Sequence, residues 1–199
     1  MPYRLLKFGL ERAYSAPRMF RSPSTLRDSY DVVIIGGGGH GLAAAHYLAH
    51  EHGIRNVAVL EQRYIGHGGT GRNTAIIRSN YLTEEGARFY EFSVDLYRDL
   101  SRALDFNLFY SERGHFTLAH TPASLRTQRW RAEVNKHLGI DSEVVDPAFI
   151  KETIPEIDLT CGGHQPPIVG ALYHPPGAIA RHDAVAWAYA RGADQGGVE

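Results

Sequence analysis

A β-branched run that breaks into glycines constrains this chain more than anything else in it. Asp31-Val-Val-Ile-Ile-Gly36 has apolar residues on both faces, the pattern of a strand buried inside a parallel sheet. Gly36-Gly37-Gly38-Gly39-His40-Gly41 follows and contains G-x-G-x-x-G at Gly36, Gly38 and Gly41. Leu42–Ala49 then reads as an alanine-rich helix able to pack close to a sheet, with Gly53 as its C-cap. Asn56–Glu61 reads as a second strand, so a β-α-β unit closes within about 30 residues.

Each glycine has a physical task in that unit. The first makes the tight turn from strand to helix, the second lets a pyrophosphate approach the backbone, and the third lets helix and strand pack closely. The helix N-terminus adds N–H donors and the positive end of its dipole. Glu61 lies at the end of the second strand, twenty residues after Gly41, where an acid binds an adenosine ribose hydroxyl. An acid there disfavours a phosphorylated ribose and hence NADP, and leaves FAD and NAD open. The competing explanation is a glycine-rich turn without a ligand, which the strand, the helix and Glu61 together argue against.

The segment from Gly66 to Tyr81, GHGGTGRNTAIIRSNY, bears on that choice. Its small residues let backbone pass close to a ring system. Arg72 and Asn73 offer donors to a pyrophosphate or to flavin carbonyls. Arg78 follows an apolar pair and can present a two-pronged fork to a carboxylate. By composition alone the segment is a surface loop; its position just after the ribose acid favours the cofactor reading.

Further along, Thr83 is placed to cap a helix with Glu84 and Glu85 in its first turn. Tyr90, Val94, Tyr97, Leu100 and Leu104 repeat at helical spacing as one apolar stripe. His115–Ala119 alternates like a strand, 123–138 reads as a helix ended by Gly139, and Glu143–Val145 as a strand. Asp146-Pro147 opens a short helix that Pro155 ends. Val169–Tyr173 reads as a strand. Residues 183–194 form a last helix with Asp183 as N-cap and Val185, Trp187 and Ala188 buried.

The balance of 21 basic and 22 acidic side chains, net charge −1, gives no support to general nucleic-acid binding. Residues 1–30 stand apart as a basic arm: Arg4, Lys7, Arg12, Arg18, Arg21 and Arg27 against Glu11 and Asp28. A transit peptide has a similar composition, whereas Lys7 interrupts the apolar core a secretory signal needs. One cysteine, Cys161, excludes an internal disulfide framework and fits a reducing compartment, read as the cytoplasm. No apolar run approaches the roughly 20 residues of a membrane helix. His46 and His50 are spaced i, i+4 without a third ligand, so no metal site is expected.

The runs DVVIIGGGGHGLAAAHYLAHEHGIRNVAVLEQ and GGTGRNTAIIRSNY, with Glu112-Arg-Gly114, Leu118-Ala-His120 and ARHDAVAW over Ala180–Trp187, resemble the FAD-dependent amine and amino-acid oxidase family. Within it they more closely resemble the β subunits of heterotetrameric sarcosine oxidases. The resemblance spans the chain and implies an α/β fold: a Rossmann-like FAD-binding domain over 31–105, an interleaved α+β substrate domain over 106–177, and a return to the FAD-binding domain over 178–199. Members of the family continue well past this length, so the resemblance implies a truncated architecture, with Gly196–Glu199 opening a further strand.

The resemblance also implies chemistry. Such proteins oxidise sarcosine at non-covalent FAD and pass electrons to an FMN held covalently on a histidine, then to oxygen, giving peroxide. They work with α, γ and δ subunits, and the α subunit directs the one-carbon unit to tetrahydrofolate. Carried onto this chain, Gly36, Gly38, Gly39, His40 and Gly41 surround the FAD pyrophosphate and Glu61 binds its ribose. Gly69, Thr70, Arg72 and Asn73 line the flavin. Arg78 faces the substrate carboxylate, His182 carries FMN, and Arg181 sits beside it.

Flavinylation needs an uncharged imidazole nitrogen as nucleophile, and the positive end of a helix dipole suits an uncharged ring. From its residue type alone, His182 is a surface histidine at a helix start, and His174 is a competing candidate. His67 and Tyr173-His-Pro-Pro depart from the family pattern. Two other functions stay open: a single-flavin oxidase or dehydrogenase of another amino acid, and an inactive FAD-binding fragment.

Overall fold

Strand β1 (Val32–Ile35), helix α1 (Gly39–His50) and strand β2 (Val57–Leu60) form the expected unit. Strands β3 (Ile76–Ile77), β4 (Ser111–Glu112) and β5 (His115–Ala119) follow, with helices α2 (Glu84–Ala103) and α3 (Pro122–His137). The last elements are β6 (Glu143–Val145), α4 (Pro147–Thr153), β7 (Gly170–His174), β8 (Ala178–Ile179) and α5 (His182–Gln195). The computed structural model describes residues 10, 19–21, 23 and 25–199. Arg4, Lys7, Glu11, Arg12 and Arg18 of the basic arm lie outside the described residues.

Two compact units share the chain. The first holds the described residues up to His67 together with Tyr189–Glu199; the second is Gly68–Ala188. In the first, β1 and β2 are parallel, with Val32 beside Val57 and Ile35 beside Leu60. Ala45, Ala49, Val57, Ala193 and Val198 form its buried core, with Val32, Ile34, Leu48, Ile54 and Val59 packed around them. Small residues allow this closeness: a Cβ on Gly196 would stand 2.7 Å from the Ala49 Cβ, and one on Gly192 2.6 Å from His46 Nδ1. The backbone of Glu199 lies along β2, donating to the Val57 carbonyl at 2.9 Å and accepting from Val59 at 2.7 Å. Arg27 and Tyr30 hold that end, through Arg27 Nε to Glu199 Oε1 at 2.8 Å and the Tyr30 hydroxyl to Oε2 at 2.6 Å.

β1 departs from the expectation of burial on both faces. Val33 is 51% and Ile35 88% exposed, while Val32 and Ile34 face the core. Among the described residues of this unit, the helices pack on one face only. The apolar run reports a strand suited to burial; it carries no information about what covers its second face.

The second unit is built on two antiparallel sheets, β3-β8-β4 and β5-β7-β6. Its core gathers Val145, Ile150, Ile168 and Ala171, with Phe116, Phe149 and Tyr173 packed against them. Local chemistry fixes the helix starts. Thr83 accepts the Gly86 N–H, as its position in the sequence predicts, and Asp146 accepts the Phe149 N–H one residue before Pro147. Thr121 and Ser124 form a reciprocal cap on α3.

Three local expectations are corrected. Along α2 and its C-cap, Val94, Leu100 and Leu104 are buried, but Tyr90 is 40% exposed, its ring stacked on Tyr81 with centroids 4.1 Å apart. The segment from Gly66 to Tyr81 is not all loop: Gly69–Arg72 is a 3-10 turn and β3 follows. Helix α5 begins at His182, so Asp183 lies inside its first turn rather than at the cap. Of the three residues expected to be buried there, Val185 and Ala188 are, and Trp187 is half-buried.

Candidate functional site

The glycine fingerprint meets the end of β2 within the first unit. Gly36 leaves β1 with φ +111°, a backbone that L side chains rarely adopt, while its N–H donates to the Leu60 carbonyl at 2.8 Å. Gly38 is the N-cap of α1 and offers no side chain to the first-turn N–H groups. Helix α1 therefore starts at Gly39, earlier than the apolar run from Leu42 suggests, and Gly39, His40 and Gly41 form its opening turn. A Cβ on Gly41 would collide with the Gly36 carbonyl oxygen and stand 3.2 Å from Ile34 Cγ2. Helix and strand are thus as close as backbone allows, and the backbone of Gly36–Gly41 is a bare cradle for an anion. His40 is exposed at its rim.

Glu61 completes this half. Its Oε2 accepts the Gly37 N–H at 2.9 Å and its Oε1 the Arg63 N–H at 2.9 Å. These two N–H donors hold the carboxyl below the usual carboxylate range, Arg63 contributing most. The acid is fixed beside the fingerprint and ionised, with lone pairs left to accept further hydrogen bonds. The carbonyl of Gly37 accepts from Gly66, which ties the following segment back to the cradle.

The remaining candidates lie in the second unit. Gly69, Thr70 and Arg72 form the 3-10 turn. The Asn73 amide Nδ2 donates to the Thr70 carbonyl at 2.7 Å and its Oδ1 accepts from Ala75 at 2.6 Å, so its side chain holds the turn. Ala75 in turn accepts the Ala180 N–H at 3.1 Å. Because β3 and β8 run antiparallel, with Ile76 beside Ile179 and Ile77 beside Ala178, two ends form. The turn and Ala180-Arg181-His182 share one end; Arg78 and Gly177 share the other.

At the first end, His182 is half-buried as the opening residue of α5, and its Nδ1 is buried without a hydrogen-bond partner. Arg181 forks onto Asp183 and lies over the Phe109 ring. At the second end, Arg78 donates to Asn80 Oδ1 at 2.8 Å, with its guanidinium 4.4 Å from the Tyr81 ring centroid.

His174, the rival to His182, is fully buried. Its Nε2 faces the Ser79 N–H at 3.3 Å and hydroxyl at 3.2 Å; its Nδ1 faces the Asp141 carbonyl and the Ser142 hydroxyl. Burial holds its ring below the ordinary histidine range. With both nitrogens engaged and no surface exposed, it has no nitrogen free for a flavin.

Sequence reasoning passed over Asn80, Arg131 and His115, which cluster around Arg78. Arg131 Nε donates to the Asn80 carbonyl at 3.0 Å. His115 is pushed down to about 4, by burial first and then by Arg78. The available signal was the run Arg78-Ser-Asn-Tyr81, in which polar side chains directly follow the apolar pair Ile76-Ile77. Among the described residues, no cluster of three His, Cys, Asp or Glu is placed to hold a metal, and no helix is long and apolar enough to cross a membrane.

Residues 31–199 match the FAD dependent oxidoreductase family. The chain is 49% identical over 173 residues to a protein named sarcosine oxidase subunit beta from Arthrobacter sp, across 87% of this chain and 42% of that one. It is 48% identical over 170 residues to the protein of the same name from Rhizobium meliloti (strain 1021), across 85% and 40%. The chain thus spans about two fifths of the length of these relatives. Among solved structures, L-proline dehydrogenase from P. horikoshii superposes with a TM-score of 0.78 at 27% identity, over 87% of this chain and 44% of that one.

Proposed function

Because the chain belongs to the FAD dependent oxidoreductase family, we propose that it is the cofactor-binding part of a sarcosine oxidase β subunit. FAD is held non-covalently at Gly36, Gly38, Gly39, His40, Gly41 and Glu61, with Gly69, Thr70, Arg72 and Asn73 on the flavin side. The observation that carries this reading is the Glu61–Gly37 hydrogen bond, which sets an ionised acid against a bare glycine cradle. That pairing fits a dinucleotide with an unphosphorylated ribose. The substrate rests on the likeness to two proteins named for sarcosine.

FAD, when bound, supplies a two-electron acceptor for a C–H bond next to an amine nitrogen. In the reaction the methyl C–H of sarcosine breaks, its electron pair leaves with the hydrogen, and a C=N bond forms. Water adds across that bond to release formaldehyde and glycine. Oxygen takes up the electrons as hydrogen peroxide. Arg78 orients the substrate carboxylate from a half-buried position. His182 is the attachment point for FMN, which its unpartnered, buried Nδ1 supports, and Arg181 flanks it. The α, γ and δ subunits complete the enzyme, with tetrahydrofolate served by the α subunit, in the cytoplasm.

The test is co-expression of the chain within its complete β subunit and the other three subunits. Sarcosine-dependent peroxide formation, with one flavin extracted by acid and one retained on protein, is the expected result. Peroxide formation with another amino acid and only extractable flavin would replace this reading with a single-flavin oxidase. A colourless complex would overturn the flavin assignment.

A further inference from the structure

Arg78 and Arg131 are two half-buried guanidinium groups on one asparagine. Arg78 Nη1 binds the Asn80 side-chain oxygen at 2.8 Å, and Arg131 Nε binds the Asn80 main-chain oxygen at 3.0 Å. Two like charges repel, and Arg131 shows it: burial and Arg78 both hold its pKa below the ordinary arginine value. Neither guanidinium has an acidic partner among the described residues, although the exposed Arg88, Arg98 and Arg102 each have one. Asn80 itself is fully buried, and its Nδ2 amide has no hydrogen-bond partner. His115 Nδ1 is buried without a partner in the same cluster, on a ring held uncharged at neutral pH. Tyr81, under Arg78 and stacked on Tyr90, forms an aromatic wall.

Unpaired buried donors and clustered cations are costly unless something answers them. The geometry points to Arg131 as the second guanidinium of a carboxylate-binding subsite, with Arg78 as the first and the Asn80 amide as a neutral donor between them. The ligand is the carboxylate of a small amino acid. The inference rests on the reading that Arg78 faces the substrate carboxylate. It adds that Asn80 spaces two arginines for one anion, so that a planar carboxylate is met by two forks and an amide.

The probes are sodium acetate and inorganic phosphate, added to the 15N-labelled full chain while the arginine Nε–H resonances are followed. Arg78 and Arg131 signals moving together with acetate, at one common Kd, is the expected result, with phosphate at least tenfold weaker. Arg131→Gln raises the acetate Kd at least tenfold, Arg131→Lys raises it less, and Arg129→Gln, an exposed change on the same helix, leaves it unchanged. An unmoved Arg131 signal, or an acetate Kd indifferent to Arg131→Gln, overturns the proposal; the wild-type titration decides it even if that variant fails to fold. Phosphate binding as well as acetate would also overturn the carboxylate assignment. FAD binding is measured separately: FAD bound without an Arg131 response sinks this inference alone, while acetate bound without FAD sinks the flavin reading alone.

Discussion

Glu61 and Gly37 are joined by a 2.9 Å hydrogen bond from the glycine N–H to Oε2, across the gap between β2 and the fingerprint turn. The bond serves two ends: it locks the turn and it orients the acid. Its charge dependence sets the first prediction. The folded-state carboxyl lies below its ordinary value, held there by the N–H groups of Arg63 and Gly37. The stability this confers is fully present above the ordinary glutamate range and is lost as pH falls through the lower folded value. Glu61→Gln should flatten that acid limb in a thermal-melt series against pH. It should also weaken FAD at neutral pH by about tenfold, one hydrogen bond to a charged acceptor. An unchanged FAD Kd would sever Glu61 from the ribose.

Gly41 gives a sharper test, because its constraint is steric. A Cβ there collides with the Gly36 carbonyl oxygen, so α1 must move off β1. Gly41→Ala should cost about 2–3 kcal/mol of unfolding free energy, the usual penalty for overpacking. Gly53→Ala is the comparison: a Cβ there meets nothing within 4 Å, but φ is +67°. It should cost about 1 kcal/mol from the left-handed backbone alone. Urea unfolding of both variants separates collision from backbone strain. FAD titration of Gly38→Val, where a side chain would fill the phosphate path, should show no measurable binding.

What the sequence revealed and what it hid divide along physical lines. The β1-α1-β2 unit and the caps at Thr83 and Asp146 are local, since a few adjacent residues settle each. Exposure of Val33 and Ile35 is not local, because it depends on what packs against that face. The same limit applies to histidines. His174 and His182 looked alike as isolated residues, and only the β3-β8 pairing sets them apart. His174 belongs with Ser79 beyond one end of that pair, while His182 opens a helix at the other. Arg131 was invisible for a third reason: a helix surface shows arginines every few residues, and only the fold brings this one onto Asn80.

His115 should make the second unit acid-sensitive. Its ring is pushed down to about 4, by burial first and then by Arg78. The unfolded chain therefore binds a proton near the ordinary histidine value of about 6.5 while the folded chain does not. Stability from this group is complete above that value and declines as pH falls toward 4. His115→Gln should leave a shallower loss of Tm between pH 6.5 and 4. Some slope remains, because His174 is also held low by burial. An unaltered slope would mean that His115 titrates normally.

His174 and His182 finally separate structure from cofactor. His174 is fully buried with both ring nitrogens facing partners, so its removal leaves Ser79, Ser142 and the Asp141 carbonyl with lost contacts. His174→Ala should cost about 3 kcal/mol, combining a cavity with unmet polar groups. His182 is half-buried with one nitrogen unpartnered, so His182→Ala should leave stability within about 1 kcal/mol. In the assembled enzyme the consequences reverse. His182→Ala should leave only acid-extractable flavin, whereas a folded His174→Ala enzyme should retain its covalent flavin. Protein-bound flavin fluorescence after acid precipitation and gel electrophoresis reads both. Covalent flavin persisting in His182→Ala would move the attachment to another residue.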